Sequence, residues 1–234
     1  MTVSTPSLLE TRQALQQVAV HVLARRRHAV TGRFGLRPSA GGIATPAFGD
    51  GPEVVRTSGR HLVVERGPDA VYTGLHTLRG AAELVGVDLS ADFSVGDDTP
   101  AMVDPDLPLE LDEAALDLLA SWFRLGSTAM DEVIATTPTV VAATTRQLWP
   151  EHFDLGGAVT LSSERRANIG ASPGDSGEPF PYLYVGPWDT DRPGDPAYWN
   201  APFGAVLRWE DLAHSTQAVT FFRQGLQFLT TPTA

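Results

Sequence analysis

Glu151, His152 and Asp154 fall within four consecutive positions, and Asp175 follows in the turn Ser172-Pro173-Gly174-Asp175. Histidine beside carboxylates is the raw material of a metal site or a general acid–base pair. On a strand, His152 and Asp154 would share one face while Glu151 pointed to the other. The turn at Asp175 could then return to complete a site. His152, Asp154 and Asp175 are therefore the catalytic candidates, and a metal-assisted hydrolase or isomerase would use His152 with Asp154 or Asp175. The spacing favours a structural role instead. There is no His-Glu-x-x-His pattern and the other histidines lie on unrelated segments, so no metal ligand is assigned. In that reading Pro150 starts a strand and His152 is a buried hydrogen-bonding group between Trp149 and Phe153.

Gly170-Ala171-Ser172-Pro173-Gly174 has the spacing of a hydrolase nucleophile elbow. An elbow lends the oxyanion the backbone N–H of the residue after the serine, and Pro173 has none. Ser172 is expected to end a strand, not to attack a carbonyl. Asp175 is expected to serve its own turn. Arg165-Arg166 sits in a hairpin connection where it could meet an anion or simply be solvated.

The tyrosines of Tyr182-Leu183-Tyr184 share one strand face. If Leu183 faces the core, both phenols line a surface or cleft. With Trp188 and Trp199 they form the candidate ligand-binding set, since aromatic bodies with polar tips suit small-molecule or peptide recognition. They suit a homo-oligomer interface equally well.

These residues need a frame. Ser7 and Glu10 have capping-box spacing, and Leu8, Leu15, Val18 and Val22 recur at helical intervals, so a helix is expected from about Ser7 to Arg27. Four short antiparallel strands are expected next, at Arg33 to Arg37, Gly42 to Phe48, Glu53 to Thr57 and Arg60 to Arg66. A helical stripe restarts at Leu75, Leu78, Ala82 and Val85. Residues 87–111 are acidic, carry Pro100, Pro105 and Pro108, and read as an extended surface connection. A calcium loop would need the alternating ligands and central glycine of an EF-hand, which are missing. Asp112 caps a long helix that ends before Pro138. Strands follow at about Phe153 to Leu161, Ala167 to Ala171, Tyr182 to Val185 and Phe203 to Trp209, and a last helix starts at Ser215.

The resulting expectation is an α+β protein of two pseudo-repeated halves, each a helix, four antiparallel strands and a helix. Residues 1–86 and 112–234 form the halves of one integrated unit, joined by 87–111. Gly42-Ile43-Ala44-Thr45-Pro46 against Ile169-Gly170-Ala171-Ser172-Pro173, and Arg79 against Arg223, support a duplication.

Composition narrows the function. A net charge of −11 argues against nucleic acid or an anionic membrane as partner. No run approaches the ~18 apolar residues of a membrane helix, and no secretory signal is visible. Zero Cys excludes disulfides and thiolate chemistry, and fits a cytoplasmic location. All 17 basic residues other than His are Arg, which excludes Schiff-base and P-loop lysines. Arg25-Arg26-Arg27 is expected at a helix C-terminus, complementing its dipole. No cofactor is indicated.

Leu148-Trp149-Pro150-Glu151-His152-Phe153-Asp154, Ser172 to Asp175, and Pro181-Tyr182-Leu183-Tyr184-Val185 together resemble a bacterial family catalogued only as a domain of unknown function. Phe34-Gly35-Leu36, Ile43 to Pro46, and the segment around Tyr198, Gly204 and Leu207 extend the resemblance across the chain. It implies a fold and transfers no catalytic residue. The function expected is therefore a cytoplasmic binding or interaction protein, with a small molecule or protein as partner and an aromatic, polar groove in the second half. The metal-assisted enzyme and a structural homo-oligomer are the alternatives.

Overall fold

In the computed structural model, which describes residues 4–230, the first helix starts earlier than the capping-box spacing predicts. Ser4 is the cap: its hydroxyl accepts from the Ser7 N–H at 3.3 Å, and Pro6 occupies the first turn, where a missing N–H is harmless. The helix runs as α1 (Thr5–Val18), a π-helical stretch (Ala19–Ala24) and α2 (Arg25–Thr31), closing at Gly32 with φ 68°. Within the π stretch the Arg25 N–H reaches back to the Val20 carbonyl, one residue beyond α-helical spacing.

Five strands follow as a meander: β1 (Arg37–Ser39), β2 (Gly42–Ala44), β3 (Glu53–Ser58), β4 (His61–Arg66) and β5 (Asp69–Gly74). The register of β3 on β4 pairs Val55 with Val64 and Thr57 with Leu62, putting these four buried side chains on one face. Helix α3 (Leu78–Val85) is capped by the Thr77 hydroxyl and packs on the π stretch, β4 and β5 through Leu78, Ala82 and Val85. The fifth strand escaped sequence reading because β5 is an exposed edge without buried alternation.

Helix α4 (Glu113–Thr136) is capped by Asp112, whose carboxylate accepts from the Ala115 N–H at 2.9 Å. Then come β6 (Val140–Ala143), β7 (Gln147–Trp149), β8 (Asp154–Leu161), β9 (Arg166–Ser172), β10 (Tyr182–Pro187), β11 (Ala205–Arg208) and α5 (Ser215–Thr230). The six-stranded sheet runs β11-β10-β9-β8-β6, with β7 as its short sixth strand. Leu155, Ala171 and Leu183 align across β8, β9 and β10 and are fully buried on the helix-covered face. Gly126 lets α4 approach there, since a Cβ would overlap that of Ala171. Helix α5 covers β10 and β11 with a stripe at helical spacing: Val219, Phe222, Leu226 and Leu229 are all buried.

The α+β class stands, but the halves do not each hold four strands. The first sheet is a meander in which sequential strands pair, whereas in the second β8 to β11 pair in sequence and both β6 and β7 pair with β8, so the strand orders give no sign of duplication. Arg79 and Arg223 also differ in role: the first pairs with Asp106, the second donates to the Thr136 hydroxyl at 3.1 Å. Contacts divide the chain into Met1–Ser121 with Leu148–Phe153, and Trp122–Gln147 with Asp154–Ala234. The acidic connection 87–111 thus belongs to the first unit.

Candidate functional site

The segment singled out first, residues 148–153, is a structural insert in the first unit. Leu148 exchanges both backbone hydrogen bonds with Leu36 at 2.8 Å each, and both side chains are buried. The Glu151 carbonyl accepts from Gln16 Nε2 at 2.6 Å. Residues 150–153 form a turn, and the strand begins only at Asp154. Phe153 is buried with φ 53°, so its ring is held at the cost of left-handed backbone, ~1–2 kcal/mol. Strand alternation therefore does not apply to His152. Its side chain is 53% exposed and its Nε2 lies 4.0 Å from Asp98 Oδ2. The expected shared face with Asp154 and the expected buried contact between Trp149 and Phe153 are both corrected: a tight turn, not a strand, carries the imidazole outward. Among the described residues no three His, Asp or Glu converge as metal ligands.

Asp154 and Asp175 do come together with the tyrosines, in the second unit. Leu183 is fully buried under the helices, so Tyr182 and Tyr184 occupy the opposite face of the sheet. Gly156 and Gly170 are register partners on β8 and β9, and Tyr184 is opposite Gly170 on β10. The tyrosine lies across both: a Cβ on Gly156 would sit 2.6 Å from its Oη, and one on Gly170 would overlap its ring. Laid flat, the phenol donates to Asp154 Oδ2 at 2.5 Å. Tyr182 Oη donates to Asp175 Oδ2 at 2.5 Å, while Asp175 Oδ1 accepts from the Gly177 and Glu178 N–H groups. Burial raises both phenol pKa values well above the ordinary range, and the neighbouring carboxylates raise them further. Each acid is thus buttressed by a neutral phenol on one of its two oxygens.

The other marked residues take separate posts. The Ser172 hydroxyl accepts from the Gly174 N–H at 3.1 Å and its carbonyl accepts from Trp122 Nε1 at 2.7 Å, so it closes the strand end as expected. Trp188 is exposed, donates to Asn168 Oδ1 at 2.9 Å and carries the Arg166 guanidinium 3.6 Å above its ring. Arg165 pairs with Asp191 at 2.7 Å. Trp199 does not join the tyrosine pair. It packs on Tyr198, whose ring centroid is 4.9 Å away, beside Phe228 of α5. Phe203, not singled out from sequence, stands edge-on to Tyr184 at 6.4 Å and is 47% exposed.

Sequence reading also missed the polar line on the first helix. Gln17, His21 and Arg25 are all buried, and the acidic connection straps over them. Gln17 donates to the Ala101 carbonyl and accepts from the Val103 N–H, His21 Nε2 lies 3.2 Å from the Pro100 carbonyl, and Arg25 donates to the Ala91 carbonyl at 2.5 Å. A carbonyl only accepts, so His21 carries its proton on Nε2. Polar residues every fourth position in a run as apolar as Val18 to Ala24 were the available signal. Arg25, Arg26 and Arg27 are not a C-terminal dipole feature either. The helix continues to Thr31, and their guanidinium groups serve Ala91, Glu53 and Gly35 respectively. Between His21, Arg25 and residues 89–102 lies a cavity of about 480 Å³.

No protein-family model, curated protein or solved structure matches the chain. The chemistry of these two places is accordingly the guide to function.

Three outcomes follow from these placements. Tyr184→Phe should cost about 1–3 kcal/mol in urea unfolding, because it removes the donor buried against Asp154. His152→Ala should change stability by no more than about 0.5 kcal/mol, the range of an exposed substitution. Burial lowers the pKa of His21 and Arg25 lowers it further, against the raising effect of the Pro100 bond. The unfolded chain then binds the proton more readily. Stability from this group is complete above the ordinary value of 6.5 and is lost as pH falls toward the lower folded value. Melting temperature should drop on acidification from pH 7 to pH 5, and the drop should be smaller in His21→Gln.

Proposed function

We propose that this is a binding protein that takes short peptides on the outer face of its second sheet, with an aromatic side chain of the peptide as the anchor. The observation that carries this reading is the pair of exposed aromatics there, Trp188 at 53% and Phe203 at 47% exposure. Solvent-facing tryptophan and phenylalanine beside a hydrogen-bonded floor of Asn168 and Tyr184 combine apolar contact with polar tips, as recognition surfaces do. The Arg166 guanidinium on Trp188 adds a cation that can meet a peptide carboxylate. The same face supports catalysis less well. Asp154 and Asp175 each accept a phenol at 2.5 Å, and a general base needs an open path to its substrate proton. Membership of the uncharacterised family that the sequence resembles belongs to this proposal, resting on the turn at Ser172 to Asp175 and the strand Tyr182 to Val185. A cytoplasmic location, for which the cysteine-free composition is the support, belongs to it too. No helix among the described residues is long and apolar enough to cross a membrane.

The double variant Trp188→Ala with Phe203→Ala provides the test. Peptides from a random library selected on the intact protein should bind the double variant at least about tenfold more weakly, a loss of ~1.4 kcal/mol. Its melting temperature should stay near that of the parent because both side chains are exposed. Equal affinity for parent and variant would remove the anchor from this face. Concentration-dependent self-association lost in the variant would make the face a homo-oligomer interface instead.

A further inference from the structure

The cavity between the π stretch and the acidic strap is a second site, independent of the second sheet. Its wall is a helix wound with i→i+5 bonds, a winding that recurs at functional positions because it displaces side chains from the α-helical line. Here it sets His21 and Arg25 side by side into a space of about 480 Å³, within the size range of small-molecule sites.

Of the charges that line that space none is paired with another, although Arg25 also attracts the Asp88 carboxylate just outside the lining. Arg25 is the only arginine lining it, while Asp92 and Asp97 line it from the strap. Among the described residues neither aspartate is within ion-pair distance of any cation. The Arg25 guanidinium is oriented without being used up. One bond goes to the Ala91 carbonyl and the Phe93 ring lies 5.3 Å from its centre, yet a guanidinium has five N–H donors. His21, kept neutral by burial, contributes polarity and no charge. Phe93 and Met102 supply apolar wall.

Separated opposite charges in one small cavity discriminate by dipole. A simple anion would be drawn to Arg25 and repelled by Asp92 and Asp97; a simple cation would meet the reverse. We propose that this cavity binds a small zwitterion of amino-acid or dipeptide size, its carboxylate on Arg25 and its ammonium between Asp92 and Asp97, with Phe93 and Met102 against its apolar part. A carboxylate matches the planar fork of arginine, and burial of Arg25 strengthens that bond relative to one made in water.

Calorimetric titration of the full chain with the free amino acids and a set of dipeptides tests this. At least one zwitterion should bind, and its N-acetylated and C-amidated forms should each bind at least about tenfold more weakly. Asp92→Asn with Asp97→Asn, both on the exposed strap, should weaken the zwitterion by a similar factor while melting temperature is retained. Amide chemical-shift changes on addition of the zwitterion should concentrate at residues 21–25 and 89–102. Absence of binding by every zwitterion at millimolar concentration would overturn the proposal. Undiminished binding of the acetylated or amidated form, or undiminished affinity in the double aspartate variant, would do so equally.

Discussion

Three polar side chains on the buried line of one helix set the terms for the first unit. Gln17, His21 and Arg25 are each at most 8% exposed. A buried amide, imidazole or guanidinium without a partner costs several kcal/mol, more than a small domain can spare. Their partners are backbone groups of residues 91–103, so the acidic connection must lie along the helix. Four residues of α-helix advance the direction of a side chain by about 40° beyond a full turn. A uniform α-helix would therefore carry Arg25 away from the line set by Gln17. The wider π stretch rotates less per residue and takes back that drift. Helix winding, strap path and cavity are consequences of the same demand.

The second unit solves a different problem with the opposite means. Its helices α4 and α5 pack on one face of the sheet, and the opposite face must hold Asp154 and Asp175. Removing the side chains at Gly156 and Gly170 opens a bed two strands wide, and Tyr184 fills it. The glycines lose packing and gain conformational freedom when unfolded, a cost that the tyrosine ring offsets by covering them. In return the phenol is delivered to Asp154 in one geometry. Such a floor is tied down by the phenol–carboxylate bonds, so contact with a ligand passes to the aromatics at its margin, Trp188 and Phe203.

The segment with the most suggestive residue types turned out to have the plainest role. Leu148 to Phe153 is buried at both ends, through the paired backbone of Leu148 and the left-handed Phe153, and the turn between them lifts His152 into solvent. Histidine and carboxylates close in sequence promise chemistry only if the backbone between them is regular. Here one residue at positive φ breaks the alternation on which the pairing of His152 with Asp154 relied. Trp199 was displaced from the expected groove for a related reason. Its indole donates to the Pro193 carbonyl at 2.8 Å, and its ring settles among Tyr198 and Phe228.

Local patterns alone determined the α+β class, α3 with its buried stripe, the existence of α5, the cap at Asp112, the central strands of both sheets and the strand end at Ser172. Each depends on neighbours within a turn or on a side chain alternating about its own backbone, interactions whose partners are adjacent in sequence. Tertiary structure decided the rest. Edge strands such as β5 lack an alternating pattern because no second layer selects it. The strap over His21 and Arg25 involves partners 79 and 66 residues away, and the pairing of Tyr184 with Asp154 spans 30. No local spacing encodes such partners. They are chosen when a buried polar group must find whichever acceptor or donor the fold brings within about 3 Å.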